Sequence, residues 1–324
     1  MGALTAPEPG GDTHGMTAEG GSAAVYGRGT APRVPLPQRG VVLGLAWSGV
    51  EGAGGQIACA KIELSRTRPV LARVWRPFQE RPGRKDVAAR FPAWLAEEAR
   101  WAEGRLCVGL DFPFSLAETH LRQLGLLRQA IRGPAALGKG LVEKYLPPGG
   151  DHSAAAESFR AELGKDRARL TDGYRAVTLP PSHARLFRQT FFGLEVLSQV
   201  SEASFLPWDP PRAGRPALVE VRPEHAARVL SGARSYRDEG RDGVQRASAR
   251  AALMRAVRIA TGLEFEMELV ARVVEDGKGI FLDAVLAAVA AAAAWEDGFQ
   301  GVPPDVPRSE GWIHSLREEP WRGR

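Results

Sequence analysis

One run constrains this chain more than any other: Leu106-Cys107-Val108-Gly109-Leu110-Asp111-Phe112-Pro113, small and apolar residues that end in one acid and then a proline. Five consecutive positions without a charge suit a strand buried on both faces, the pattern of a strand inside an α/β sheet. Pro113 has no N–H to give to a ladder and ends the strand. Asp111 is left at the strand's mouth, where an ionised carboxylate needs a cation, a turn to cap or a reaction to serve.

The elements before it fix its setting. Val41-Val42-Leu43-Gly44-Leu45-Ala46 reads as another buried strand, and 56–64 and 69–76 as two more. Their short connections predict an antiparallel meander. The glycine-rich turn between the first two, 47–55, holds no G-x-x-x-x-G-K-[ST] and no full G-x-G-x-x-G, and it enters a strand where a phosphate loop would open a helix. It reads as a hairpin loop. Ala46 lies two before Ser48, so no G-x-S-x-G nucleophile elbow is present. Val87, Phe91, Trp94, Leu95 and Ala99 recur at helical spacing over 86–101, Gly104 stops that helix, and the strand 105–111 follows. The order is β-β-β-α-β, with a crossover helix that brings the fourth strand parallel to the first.

Residues 117–205 read as a mostly helical insertion, with patches at 118–131, 154–164 and 183–200 broken by Pro147-Pro148-Gly149-Gly150 and Pro180-Pro181. Its arginines, among them Arg160, Arg167, Arg169, Arg175, Arg185 and Arg188, read as a solvated helical surface, with a phosphate-facing lid as the less favoured alternative. Beyond a proline-rich connector, 217–221 reads as a strand that carries Glu220 near its end, and Pro223 opens a helix over 223–231. A charged loop at 234–243 and helices near 246–260 and 265–273 follow. The last helix, 280–295, is so apolar that it must be buried, and its one charge, Asp283, sits in the first turn where the helix dipole favours it. Residues 1–37, rich in Gly, Pro, Ala and Thr, read as a disordered N-terminal tail, 38–300 as one domain, and 301–324 as a C-terminal tail without a clear element.

Composition narrows the function classes. With 324 residues, 44% of them hydrophobic, the chain can build a sizeable core. Its formal net charge of +5 permits nucleic acid as a partner. The two cysteines, Cys59 and Cys107, lie inside strand runs and read as core residues of a reducing compartment, which predicts a cytoplasmic protein without a Cys/His zinc site. No apolar run is long and uniform enough to span a membrane.

Three acids then stand out: Asp111, Glu220 and Asp283. Two end strands expected to be parallel and one opens a buried helix, and in open α/β sheets such ends face a common crevice. Gathered carboxylates there suit two-metal phosphodiester chemistry, in which two divalent ions roughly 4 Å apart activate water and stabilise the leaving oxygen.

The strand–helix order and the segments Gly44-Leu45-Ala46-Trp47-Ser48-Gly49, Val108-Gly109-Leu110-Asp111-Phe112-Pro113-Phe114-Ser115, Gln189-Thr190-Phe191-Phe192-Gly193, Leu206-Pro207-Trp208-Asp209, Val219-Glu220-Val221-Arg222-Pro223-Glu224 and Leu282-Asp283-Ala284-Val285-Leu286 resemble the DUF429 family over about residues 40–300. Its members are predicted nucleases with an RNase H-like fold. The resemblance implies a mixed sheet of three antiparallel strands followed by parallel ones. It also implies a metal-dependent nuclease with Asp111, Glu220 and Asp283 as catalytic and metal-holding residues, Mg²⁺ or Mn²⁺ as cofactor and nucleic acid as partner. Two departures stand against full activity. The family's usual first-strand Asp is replaced by Ala46, and the family's second acid on the last helix falls on Ile280. Glu51, in the glycine-rich turn, is the nearest replacement ligand. The expectation is therefore a nuclease with an impaired metal site. The alternatives are a non-catalytic relative that binds nucleic acid or protein and, from another class, an actin-like phosphotransferase, whose fold is usually duplicated where this chain shows no internal repeat.

Overall fold

Strand β1 (Gly40–Ala46) lies at the middle of a mixed sheet, because both of its faces are apolar: Val42, Leu43 and Leu45 are wholly buried. The computed structural model describes residues 39–65, 68–80, 82–232, 235–237 and 243–316, so the N-terminal tail read at 1–37 lies outside the described residues. β2 (Ala58–Leu64) and β3 (Val70–Trp75) continue from β1 as the expected antiparallel meander. Helix α1 (Arg84–Trp101) crosses over, and β4 (Leu106–Asp111) returns parallel to β1. Beyond β4 stand β6 (Ala217–Val221) and β5 (Ser204–Leu206), both parallel, in the order β3-β2-β1-β4-β6-β5. This is an RNase H-like sheet. Among the described residues it has seven strands, more than the five expected, because β5 spans three residues and β7 (Ile313–His314) two, too short to show a period.

Alternation divides the core in two. Cys107, Val219 and Val221 face the helix layer formed by α8 (Pro223–Ser231), α9 (Gly243–Thr261), α10 (Met267–Glu275) and α11 (Ile280–Glu296). Leu106, Val108, Leu110 and Leu218 face α1 and the insertion. α11 is the buried helix expected from its composition, and it lies directly on β1 and β4. Gly44 and Gly109, paired in register, make this possible. A Cβ on Gly44 would stand 2.1 Å from the Ala288 nitrogen, and one on Gly109 2.6 Å from the Ala287 oxygen. The two missing side chains let the helix backbone sink onto the sheet and bring Asp283 down to the strand ends.

The insertion holds α2 (Glu118–Leu124), α3 (Leu127–Ile131), α4 (Pro134–Tyr145), α5 (His152–Leu163), α6 (Leu170–Tyr174) and α7 (Phe187–Ser198), with a small core of its own around Leu121, Leu137, Phe159 and Phe191. The sequence reading has no element at α4, whose glycines lower helix propensity. Gly138 is there for contact: a Cβ would meet the Leu194 oxygen of α7 at 1.9 Å. The C-terminal segment also departs from expectation. β7 pairs with β6, and Trp312 and Leu316 are buried, so residues 308–316 complete one edge of the sheet. Among the described residues no helix is long and apolar enough to cross a membrane.

Candidate functional site

The parallel register of β1 and β4 sets Ala46 directly beside Asp111, two residues beyond the Gly44–Gly109 pair. Period-2 alternation turns both side chains to the α11 face. Trp47 and Phe112 fix the chain just past the two strand ends, with ring centroids 4.8 Å apart, and Phe192 of α7 lies 5.4 Å from Trp47. The Gln189 side chain donates to the Asp111 carbonyl. Asp111 is thus held at the strand ends with its side chain 13% exposed, beside Asp283 at 6%.

These two carboxyls form an electrostatic pair. Burial pushes Asp111 up to about 7; Arg222 opposes that rise and the charge of Asp283 adds to it. Burial likewise pushes Asp283 up to about 6, against the pull of Arg237 and Tyr236. The Tyr236 hydroxyl donates to Asp283 Oδ1 at 2.6 Å, and Arg237 donates to Oδ2 at 2.7 Å and to Glu224 at 3.1 Å.

Glu220 does not join them. It sits between Val219 and Val221, which face α11, so its side chain emerges on the opposite face of β6. There Arg169 grips it through two bonds, Nη2 to Oε1 at 2.6 Å and Nη1 to Oε2 at 2.8 Å, and the Phe114 N–H donates to Oε2 at 2.8 Å. Arg169 also donates to Asp172 at 2.8 Å and to the Glu310 carbonyl at 3.3 Å. Burial works against the Arg169 charge, but Asp172 and Glu220 outweigh it and hold its pKa above the ordinary guanidinium value. The sequence reading of Arg169 as part of a solvated surface is therefore corrected: it is 1% exposed. The same network ties the insertion to the C-terminal segment. Glu310 accepts the Glu118 N–H at 2.8 Å and the Leu170 N–H at 2.7 Å, which caps the starts of α2 and α6.

Arg222 is the link between the two groups. Its Nη1 stands 3.4 Å from Asp111 and its Nη2 3.5 Å from Glu220, and its buried Nε has no partner among the described residues.

The donor set does not fit a two-metal centre. The Ala46 methyl offers no ligand, Ile280 packs against the apolar core, and Glu220 lies across the sheet. Asp111 and Asp283 each already face a guanidinium. Glu51, the nearest replacement read from the sequence, is exposed, and its charge acts on Arg84. Among the described residues no three His, Cys, Asp or Glu side chains are grouped to hold a metal ion.

A family model described as a protein of unknown function, DUF429, matches residues 49–308. The chain belongs to the DUF429 family. No curated protein and no solved structure gives a match. The DUF429 match opens at residue 49, just beyond Ala46, so the placing of Ala46 opposite Asp111 rests on the strand register. Within the match, the sequence reading singled out the acids and passed over the cations that neutralise them. Arg222 stands in the quoted Val219–Glu224 segment, one residue before the helix-opening Pro223, where a signal was available. Tyr236 and Arg237 fall in a stretch read only as charged loop, and nothing in its spacing links it to α11.

Proposed function

We propose that this DUF429 protein binds nucleic acid through the crevice at the ends of β1 and β4 and that its phosphodiester-hydrolysing centre is impaired. One observation carries the reading: Ala46 stands in register beside Asp111, where a two-metal site needs a carboxylate. The remaining groups support binding. Arg222 and Arg237 stand beside Asp111 and Asp283, and guanidinium matches phosphate in geometry and charge. The net charge of +5 favours a polyanionic partner. Mg²⁺ or Mn²⁺ binds weakly at Asp111 and Asp283, because each ion must displace a guanidinium, and no hydrolytic step is assigned to it.

The test measures oligonucleotide binding by fluorescence anisotropy across a salt series, with Mn²⁺ titration and a nuclease assay alongside. The native chain is expected to bind with an affinity that falls as salt rises, and to leave the oligonucleotide intact. Ala46→Asp, alone and with Ile280→Asp, is expected to raise Mn²⁺ affinity and to introduce cleavage. Cleavage by the native chain that Asp111→Asn abolishes would overturn the impaired centre; absence of any salt-dependent binding would overturn the partner.

A further inference from the structure

Beside the Asp111 and Asp283 pair, and including their partners Arg222 and Tyr236, lies a cleft of about 330 Å³ between α8 and residues 175–178. Among the described residues three guanidinium groups line it: Arg175, which also donates to the Ile313 carbonyl at 3.1 Å and stacks over Trp312, Arg222 and Arg228. Arg222 is 8% exposed, its two contacts to carboxylates are long, and its Nε has no partner among the described residues, so a buried cation is left with donor capacity there. Glu224 also borders the cleft, but it is bonded to Arg237. His225 shares a hydrogen bond with the Ser315 hydroxyl. Its pKa is pushed down to about 4, first by burial and then by Arg175 and Arg228, the direction expected of an imidazole beside like charge.

The wall opposite α8 is backbone held under strain. Ala176 has φ 47°, a left-handed conformation that a residue with a Cβ rarely adopts. Arg228 pins that turn by donating to the Arg175 carbonyl at 2.9 Å and to the Ala176 carbonyl at 3.5 Å. Thr178 borders the cleft just beyond it. The volume is at the low end of small-ligand sites, about 300–1,000 Å³, which suits one nucleotide unit better than a continuous strand.

We propose that the cleft lined by Arg175, Thr178, Arg222 and Arg228 binds a phosphate monoester carried on a nucleotide, either the phosphorylated end of a strand or a free mononucleotide. This deepens the nucleic-acid reading, on which it rests. A monoester brings up to two negative charges and several acceptor oxygens to three guanidinium groups, and it ends the chain inside the cleft where a phosphodiester would have to leave it again.

The experiment compares a 5′-hydroxyl oligonucleotide with the same oligonucleotide carrying a 5′-phosphate or a 3′-phosphate, and uses thymidine monophosphate and inorganic phosphate as competitors. One phosphorylated end is expected to bind about tenfold more tightly than the hydroxyl form. Arg228→Gln and, independently, Thr178→Val should reduce that preference below twofold while leaving the 5′-hydroxyl affinity and the melting temperature of the Thr178→Val protein unchanged. Competition by thymidine monophosphate at equal concentration identifies a free nucleotide as a sufficient ligand; competition by phosphorylated strands alone identifies the strand end; both support the site. Binding of the hydroxyl oligonucleotide with no phosphate preference overturns the cleft and leaves the crevice reading intact. Loss of all oligonucleotide binding together with tight thymidine monophosphate binding overturns the crevice and keeps the cleft.

Discussion

Two buried arginines a few ångströms apart have opposite surroundings. Arg169 is saturated: six contacts of 2.6–3.3 Å to Glu220, Asp172 and the Glu310 carbonyl surround a side chain with no exposure. Among the described residues Arg222 has two contacts, of 3.4 and 3.5 Å, and an unpartnered Nε. A buried guanidinium is tolerated when its donors are met, and short charge-assisted bonds hold one geometry. The first arginine therefore acts as a joint between the insertion, β6 and the C-terminal segment. The second, beside Asp111, is left with donor capacity, which the proposed ligand would use. Glu220 belongs with the first group, although its place near a strand end suggests the second.

The largest test of this contrast is Glu220→Ala. It leaves the Arg169 charge buried with only Asp172 beside it, and removal of one partner from such a pair destabilises by about 3–5 kcal/mol. Urea denaturation is expected to show a loss of that size. A loss below about 1 kcal/mol would mean that Glu220 is not part of the structural joint.

Gly44→Ala acts on the other side. Its Cβ would press on the backbone of Ala284 and Ala288, at 2.2 and 2.1 Å, and lift the start of α11. The expected loss lies near the upper end of the about 1–3 kcal/mol typical of overpacking. Lifting α11 should also weaken the coupling of Asp283 to Asp111, seen by NMR as an Asp111 pKa below that of the native chain. An unchanged Asp111 titration would break the link between the glycine floor and the site.

The smallest effect is the most diagnostic. Asp111 and Asp283 have folded pKa values of about 7 and about 6, above the unfolded carboxylate range. Between roughly pH 4 and 7 the folded protein holds more protons than the unfolded chain, so the stability these groups contribute is fully present near pH 4 and is lost as pH rises through about 7. Asp111→Asn removes one of the two charges. It should change stability little near pH 4.5 and stabilise by about 1–3 kcal/mol at pH 8. Equal destabilisation at both pH values would identify Asp111 as a turn-capping residue and remove it from the crevice.

Much of this molecule can be read along the chain. The strand runs at β1, β4 and β6, the crossover α1 and the buried α11 follow from local patterns of period 2 and 3.6, and these patterns persist because each element meets a core on the faces its sequence makes apolar. The positions of Asp111, Glu220 and Asp283 near element ends are equally local. Which acids share a face is decided otherwise. Glu220 and Asp111 lie one residue out of step across the β4–β6 register, and one step turns a side chain to the other side of the sheet. The partners Arg169, Tyr236 and Arg237 come from the insertion and a loop, 51, 47 and 46 residues from the acids they meet. The sequence by itself determined where each charge stands along its own element, because periodicity and chain breakers act over a few residues. Only the tertiary structure decided which charges neutralise one another, because ion pairing depends on distances of a few ångströms between segments that no local pattern relates.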